Sequence, residues 1–345
     1  CTFAYADIKK DETFPVNGYE YLAMNYVLVG AKQVVDVEFS YTDGASAAKT
    51  RTVGSVPVQR NYRTNIYGNL LTSTVDINVE IVPDYNEPDL EAEALYLAAA
   101  FGGEVTLTED VALTAPLNVQ ANMILNLGDY TISNPNGYAI ENNAELTINA
   151  TNGGINGLGG IRSKGGKITI NGGTYTGSSD WNAGTYQHIL KAENTEVAIN
   201  GGNFDATIGG MTNAMINVSN DAIMTINGGT FKNVNGVIPQ FAPYLFTYEG
   251  NGTLIINDGD FYGGWRFNGT TATTDIFGGN FTVSYDGQSF HAGSTHVLTI
   301  YGGRYSQENG GKLTPIHPKN NLAFGFTTTE ENGWYIVNDK IVYSM

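Results

Sequence analysis

The sequence predicts an all-β chain dominated by a solenoid, and two observations carry that expectation. The first is a repeated phrase, apolar-x-Ile-Asn-Gly-Gly-x-aromatic. It reads Ile170-Asn171-Gly172-Gly173-Thr174-Tyr175, then Ile199 to Phe204 and Ile226 to Phe231, with looser copies at Ile256 to Phe261, Ile276 to Phe281 and Ile300 to Tyr305. Successive aromatic positions lie roughly 20–30 residues apart, the size of one solenoid turn. The second is composition: 43 glycines and 21 tyrosines in 345 residues, with abundant Thr, Asn, Val and Ile, describe short strands broken by tight turns.

The formal net charge of −17 and pI near 4.5 speak against nucleic acid or an anionic membrane surface as a partner. Phosphate neutralisation needs clustered Lys and Arg, and the chain has 17 in all. No apolar run approaches the roughly 20 residues of a transmembrane helix. Cys1 is the one cysteine, so no disulfide framework is expected. Two readings of Cys1 stand: the acylated residue of a lipoprotein, or a fragment boundary. The strand-like alternation of Thr2-Phe3-Ala4-Tyr5-Ala6 favours the second, because a lipid anchor is followed by a flexible polar tether.

Residues 1–85 read as a partial β-sandwich. Strands are expected at Tyr19–Val29, Val34–Tyr41, Val53–Val58 and Val75–Val82. The second and last alternate apolar and polar residues at period two, which buries one face and wets the other. Three stretches, Thr2 to Asp7, Tyr21 to Gly30 and Val56 to Thr72, resemble the C-terminal part of a fimbrillin-like domain from surface lipoproteins of Bacteroides-type bacteria. The run from Val58 to Gly68 is the most specific piece. The resemblance implies a bacterial cell-surface location; the family's N-terminal half has no counterpart in this numbering.

Residues 86–345 form the second expected domain. The polar segment Pro83 to Pro88 leads into a helix over 88–101, since Pro88 suits a first turn and Asp89 the positive helix end. Leu90, Ala94, Leu95, Leu97, Ala98 and Phe101 make an apolar stripe, and Gly102-Gly103 stops the helix. It is placed to cap the first coil, whose core and strand edges would otherwise be open. Within the solenoid a second strand begins at Ile140, Ile161, Leu190, Ile216, Phe246, Phe267 and Phe290, and a divergent first coil runs from Val105 to Ile132. That makes about eight coils and, at about 4.8 Å per rung, a stack of roughly 35–40 Å. From Gly103 onward the chain resembles right-handed parallel β-helix proteins of the pectin-lyase-like group, most recognisably at Leu125 to Ile132. The resemblance implies a fold, and only loosely a chemistry. A strand pair around Gly333 to Val337 is expected to close the far end.

Asn149, Asn171, Asn200, Asn227 and Asn257 read as an amide column at the turns. Tyr175, Phe204, Phe231, Phe261, Phe281 and Tyr305 read as an internal aromatic stack. Both explain stability, so function has to come from outward positions. If the second-strand starts face inward, the next residues form an outer row of Glu141, Arg162, Lys191, Asn217, Thr247, Asn268 and His291. Two residues on, the row is Asn143, Lys164, Glu193, Ser219, Glu249, Thr270 and Gly293. Glu141 then lies beside Arg162, and Lys164 beside Glu193, as an ion-pair ladder. The sharper alternative is a catalytic pair, Glu193 and Glu249, with Lys191 lowering one carboxyl pKa. Two rungs place the carboxylates about 9.6 Å apart, near the upper limit of the roughly 6.5–9.5 Å of an inverting glycosidase. The enzymes of the resembled β-helix group present clustered aspartates or calcium-binding acids, and no Asp-Asp pair or Gly-His-Gly motif occurs in this solenoid.

Aromatic residues on the longer turns offer a binding reading. Asp180, Trp181, Tyr186 and His188 follow one Gly-Gly phrase; Tyr262, Trp265 and Arg266 follow another, three coils on. Sugar rings stack on exposed indoles while carboxylates and amides take their hydroxyls; the bland alternative is that these residues pack against the solenoid. Asp258-Gly259-Asp260 lacks the spacing of a calcium loop, and His188, His291, His296 and His317 lack zinc spacing, so no metal or cofactor is expected. The resulting expectation is a non-catalytic cell-surface adhesion or glycan-binding protein that uses the solenoid as a rigid scaffold. Two alternatives stand beside it: a carbohydrate-active enzyme on the same scaffold, and a fimbrial tip or stalk subunit that pairs strands with its neighbour.

Overall fold

A computed structural model describes residues 33–42, 49–58, 63–68, 77–82, 90–180, 183–212, 214–234, 244–266, 271–284, 295–308, 312–313 and 316–339. The chain divides into two compact units, Cys1–Leu90 and Glu91–Met345.

The described part of the first unit is two antiparallel strand pairs. Gln33–Tyr41 pairs with Lys49–Val58 through a bulge at Val35/Val37, and Arg63–Gly68 pairs with Ile77–Val82. The Thr64 hydroxyl donates to the Pro57 carbonyl at 2.6 Å and ties one pair to the other. Arg63–Gly68 was not among the expected strands, because Arg-Thr-Asn-Ile-Tyr-Gly has no apolar alternation to announce it. The expected strand Tyr19–Val29 lies outside the described residues, as do residues 2–7.

The second unit is a parallel β-solenoid, coiled in the right-handed sense that crossovers between parallel strands take. It has about seven full turns. Over the coils from Gly103 to Glu249, each turn lays one strand on each of three sheets. Rungs of the first sheet begin at Gly103, Met123, Glu145, Lys167, Glu196, Ile223, Thr253, Thr273 and Val297. The second sheet carries Thr230–Asn233, Asp260–Gly263, Asn280–Val283 and Arg304–Gln307 in its later rungs. The third carries Leu117–Val119, Leu190–Glu193, Ile216–Ser219 and Phe246–Glu249. The second-strand starts expected from the repeat are in register where they are described: Ile140 pairs with Ile161, Ile161 with Leu190, Leu190 with Ile216 and Ile216 with Phe246. Phe267 and Phe290 lie outside the described residues.

Register brings like onto like. In the interior, Tyr175, Phe204, Phe231, Phe261, Phe281 and Tyr305 stack face to face with centroids 4.6–4.9 Å apart and planes within 13°. The spacing equals the rung spacing, so the backbone ladder itself delivers an offset aromatic pile. Both end members are tyrosines, and each hydroxyl donates to a turn carbonyl, Gly172 or Gly302, at 2.9 Å. Buried phenols are thereby satisfied.

At the turn after the first sheet, the amides of Asn126, Asn149, Asn171, Asn200, Asn227 and Asn257 form one continuous ladder. Each Nδ2 donates to the Oδ1 of the preceding rung at 2.7–2.9 Å. At the start of the ladder, Asn126 Nδ2 donates to Glu104 Oε1 at 2.7 Å. A carboxylate only accepts, so Glu104 sets the direction of every amide after it. Asn126 belongs to this column although its turn lacks the Gly-Gly phrase. Beyond Asn257 the same column turns aromatic: Phe277 stacks on Tyr301 at 4.6 Å, and Tyr301 meets the edge of Phe326.

The turn glycines take two constraints at once. Gly229 has φ +111°, and a Cβ there would stand 2.8 Å from the Gly202 carbonyl of the previous coil. Its neighbour Gly228 has neither problem, its nearest atom being the Asn200 carbonyl at 3.4 Å.

Both ends of the solenoid are covered. The helix Leu90–Phe101 places Leu95, Ala98 and Ala99 in the same buried cluster as Val105, Leu107 and Leu125. The Ala99 carbonyl accepts from the Gln120 and Ala121 N–H groups, and Gly102 N–H closes the helix on Ala98. The apolar stripe expected from sequence is narrower in the structure. Leu97 is exposed and Phe101 is 81% exposed, because the buried face follows the i, i+3, i+4 set Leu95, Ala98, Ala99. At the far end Phe326–Glu331 and Trp334–Asp339 form an antiparallel hairpin, and the second strand pairs with Arg304 and Tyr305. Arg304 sits 5.0 Å over the Trp334 ring. A short helix, Pro318–Asn321, precedes this hairpin and is capped by His317; it carries no apolar period and was not expected.

Gly229→Ala is expected to cost about 1–3 kcal/mol, from positive φ and the carbonyl clash together. Gly228→Ala is expected to stay within about 1 kcal/mol of the parent. Urea midpoints of the two variants measure the difference, and equal midpoints would remove the role given to the second glycine.

Candidate functional site

Three connections link the strands of each turn, and they differ in what they allow. The turn between the first and second sheets and the one between the third and first never exceed three residues in the coils from Glu145 to Glu249. The connection from the second to the third sheet holds almost all the length variation: residues 176–189, 206–215 and 234–245 in successive coils. The longer connections therefore all leave and rejoin the solenoid along one edge, beside the third sheet. In stacked repeats, insertions of this kind mark the face that meets a ligand.

Outward residues of the third sheet stand beside that edge. Register confirms the two expected rows over the described rungs: Glu141, Arg162, Lys191, Asn217 and Thr247 are successive partners, as are Glu193, Ser219 and Glu249. Asn268, Thr270, His291 and Gly293 lie outside the described residues. The charges in these rows pair, but mainly across the diagonal. Arg162 Nε donates to Glu193 Oε2 at 2.6 Å, and its guanidinium lies 4.0 Å from Glu141. Lys164 reaches Glu141 at 2.8 Å, on the preceding coil, instead of Glu193. Lys191 Nζ lies 3.4 Å from Glu193 Oε1 and 3.5 Å from Glu249 Oε2. Long side chains can reach diagonal partners as easily as direct ones. The outcome is one connected network of Arg162, Lys164 and Lys191 with Glu141, Glu193 and Glu249.

The same geometry bears on the alternative of a Glu193–Glu249 pair. The Lys191 ammonium lies within 3.5 Å of both the Glu193 and the Glu249 carboxylate and so bridges the two groups. Partial burial by itself would raise the Glu193 carboxyl. The hydrogen bond from Arg162 and the charges of Lys191 and Arg162 outweigh it and hold the group below the usual glutamate range. A carboxylate so held is a poor general acid near neutral pH.

Tyr138 and His188 wall one side of the row. The phenol accepts from the His188 backbone N–H at 3.2 Å, and burial pushes the Tyr138 hydroxyl pKa up to about 12. On the paired strand Gly159 supplies the room, since a Cβ there would stand 2.7 Å from the Tyr138 ring. Tyr138 was not singled out from the sequence; the glycine aligned with it one coil later is the signal that could have found it. His188 is buried. Its Nδ1 lies 2.7 Å from the Ala214 carbonyl and must carry the proton there, because a carbonyl cannot donate. Burial lowers the imidazole pKa to about 4, so the ring is neutral near pH 7. It is a packing and orienting residue here, not an open ligand contact.

The remaining expected ligand residues separate. Asp180 is bound into its own loop: its N–H donates to Thr185 Oγ1 at 2.6 Å, and its carboxylate accepts from Thr212 at 2.7 Å on the loop of the next coil. Tyr186 is exposed beside it. Trp181 lies outside the described residues. Trp265, three coils on, is 1% exposed and packs against Phe246, Phe261 and Phe281. That buries the indole proposed as a sugar platform. Arg266 lies 5.5 Å over the Tyr244 ring, and the Tyr262 hydroxyl donates to Glu308. Asp258 accepts from the Gly259 N–H and Asp260 from the Asn280 amide, as turn residues do. Among the described residues no three His, Cys, Asp or Glu side chains converge on a metal position.

Residues 3–121 match the model of a family of unknown function, DUF6562. The match covers the first unit, the capping helix and the first coil, and stops short of the charged network. No curated protein and no solved structure matches the chain. No described helix is long and apolar enough to cross a membrane.

Arg162→Met is expected to move the Glu193 carboxyl titration upward toward its ordinary value near 4.5, observed by carbon-detected NMR of the side chain. An unmoved midpoint would refute the clamp. His188 gives a second window. The unfolded imidazole binds a proton from about pH 6.5 downward, and the folded one only from about pH 4. Stability from this group is therefore complete above about pH 6.5 and declines as pH falls toward about 4. His188→Leu should flatten that part of the urea-midpoint profile; an unchanged slope would assign it elsewhere.

Proposed function

We propose that this protein is a non-catalytic cell-surface adhesion or glycan-binding protein whose solenoid acts as a rigid display scaffold. The observation that carries the reading is the confinement of inserted segments to one edge, next to a polar row rich in amide, hydroxyl, ammonium and carboxylate groups. Such a surface suits a ligand that offers many hydroxyls. The aromatic stack and amide ladder hold the rungs, so the edge is presented with little loss of conformational entropy on binding. Bridging of Glu193 and Glu249 by Lys191 disfavours the hydrolase alternative. The surface location rests on the fimbrillin-like resemblance of residues 2–72, and the likeness to pectin-lyase-like β-helices is consistent with a saccharide ligand.

A glycan array probed with the full chain, run beside an assay for reducing-end release on neutral and acidic polysaccharides, tests the reading. Selective binding without release is the expected result. Release of reducing ends, or no retention on any glycan, would overturn it.

A further inference from the structure

The third-sheet row contains one group that its own surroundings do not satisfy. Asn217 is 1% exposed, and its Nδ2 donates to Thr247 Oγ1 at 3.1 Å on the next rung, but its buried Oδ1 has no hydrogen-bond partner. Turning the amide over does not help, since one end would still be unpaired. A buried carbonyl left without a donor costs about 1–3 kcal/mol. The fold pairs the ladder amides with one another and the buried Asn142 amide with Ser163, whereas the Asn217 oxygen in the third-sheet row is left without a donor.

An ion pair spans the strand that carries Asn217. Lys191 is the strand partner of Asn217, and Glu249 lies on the strand beyond, two residues after Thr247. To come within 3.5 Å of Glu249, the Lys191 side chain reaches past the strand Ile216–Ser219. The Glu249 end is 57% exposed. A contact of that kind is screened by salt and contributes only about 0–1 kcal/mol, so the pair opens at little cost.

We propose that Asn217, Thr247, Lys191 and Glu249 form a subsite for a neutral sugar carrying adjacent hydroxyls. The inference rests on the glycan-binding reading above and specifies which glycans and where. One hydroxyl donates to Asn217 Oδ1 and accepts from the displaced Lys191 ammonium; its neighbour donates to the Glu249 carboxylate. The chemistry selects a polyol, because a polyol supplies both the donor that Asn217 lacks and the acceptor that Lys191 needs once it leaves Glu249. Neutrality follows from the balance of charge. Arg162, Lys164 and Lys191 are matched by Glu141, Glu193 and Glu249, which leaves no spare cation for a uronate, and the chain carries −17 overall.

The test compares the full-length parent with Asn217→Leu and Thr247→Val on arrays of neutral and uronate-bearing oligosaccharides, with urea midpoints measured in parallel. Asn217→Leu removes the unpaired acceptor in a side chain of similar volume. It is expected to keep or raise the midpoint while weakening binding to neutral glycans at least tenfold. Thr247→Val, nearly isosteric, is expected to weaken binding with the fold intact, and it stands as the readout should the leucine variant not fold. If the parent binds glycans and the folded variants bind equally well, the subsite is wrong and the broader reading survives. Preference for uronate-bearing glycans would also overturn the subsite. If the parent binds no glycan at all, both fall.

Discussion

Parallel pairing in register is the constraint on which everything else in the solenoid depends. It places each side chain over its counterpart one coil earlier, so a column of residues becomes a single extended interaction. The amide ladder from Asn126 to Asn257 is its strictest form. Each amide uses one donor and one acceptor on its neighbours, and a slip of one residue in any coil would leave a pair unmade on both sides and turn the interior face outward. The aromatic stack adds apolar burial to the same register, with ring spacing set by the backbone.

That constraint also explains where variation is found. The turn holding the ladder cannot lengthen without breaking the amide chain. The turn between the third and first sheets is likewise fixed, in part by the buried contacts Asn142 to Ser163 and Ser163 to Thr195. The remaining connection is tied between coils at points such as Asp180 to Thr212 and His188 to Ala214, and it holds the inserted segments. Rigidity on two corners of the coil and latitude on the third make a frame with one variable edge, and the charged network lies along it.

Much of this could be read from the sequence because the period of the repeat and the period of a strand together assign a face to each residue. Lys191, Asn217 and Thr247 fall in one outward row by counting alone, and the structure places them there. Counting fails where side-chain length or loop path decides. Arg162 and Lys164 choose diagonal partners because their stems span a rung. Trp265 turns inward against Phe246, Phe261 and Phe281, and no periodicity reaches that residue. The strand Arg63–Gly68 was missed for the opposite reason: it pairs with Ile77–Val82 through the backbone, with little apolar pattern to signal it.

The sense of the amide ladder has an electrical consequence. Backbone N–H and C=O groups point alternately up and down a stack of parallel strands, so their dipoles along the axis largely cancel. The six asparagine amides do not alternate: all aim their nitrogens toward the Glu104 end and their oxygens toward Phe277. Their moments add, as peptide units do in an α-helix, and each polarises the next. One corner of the solenoid is thus a small electret, with a carboxylate seated at its positive pole and an uncharged aromatic ring closing its negative one.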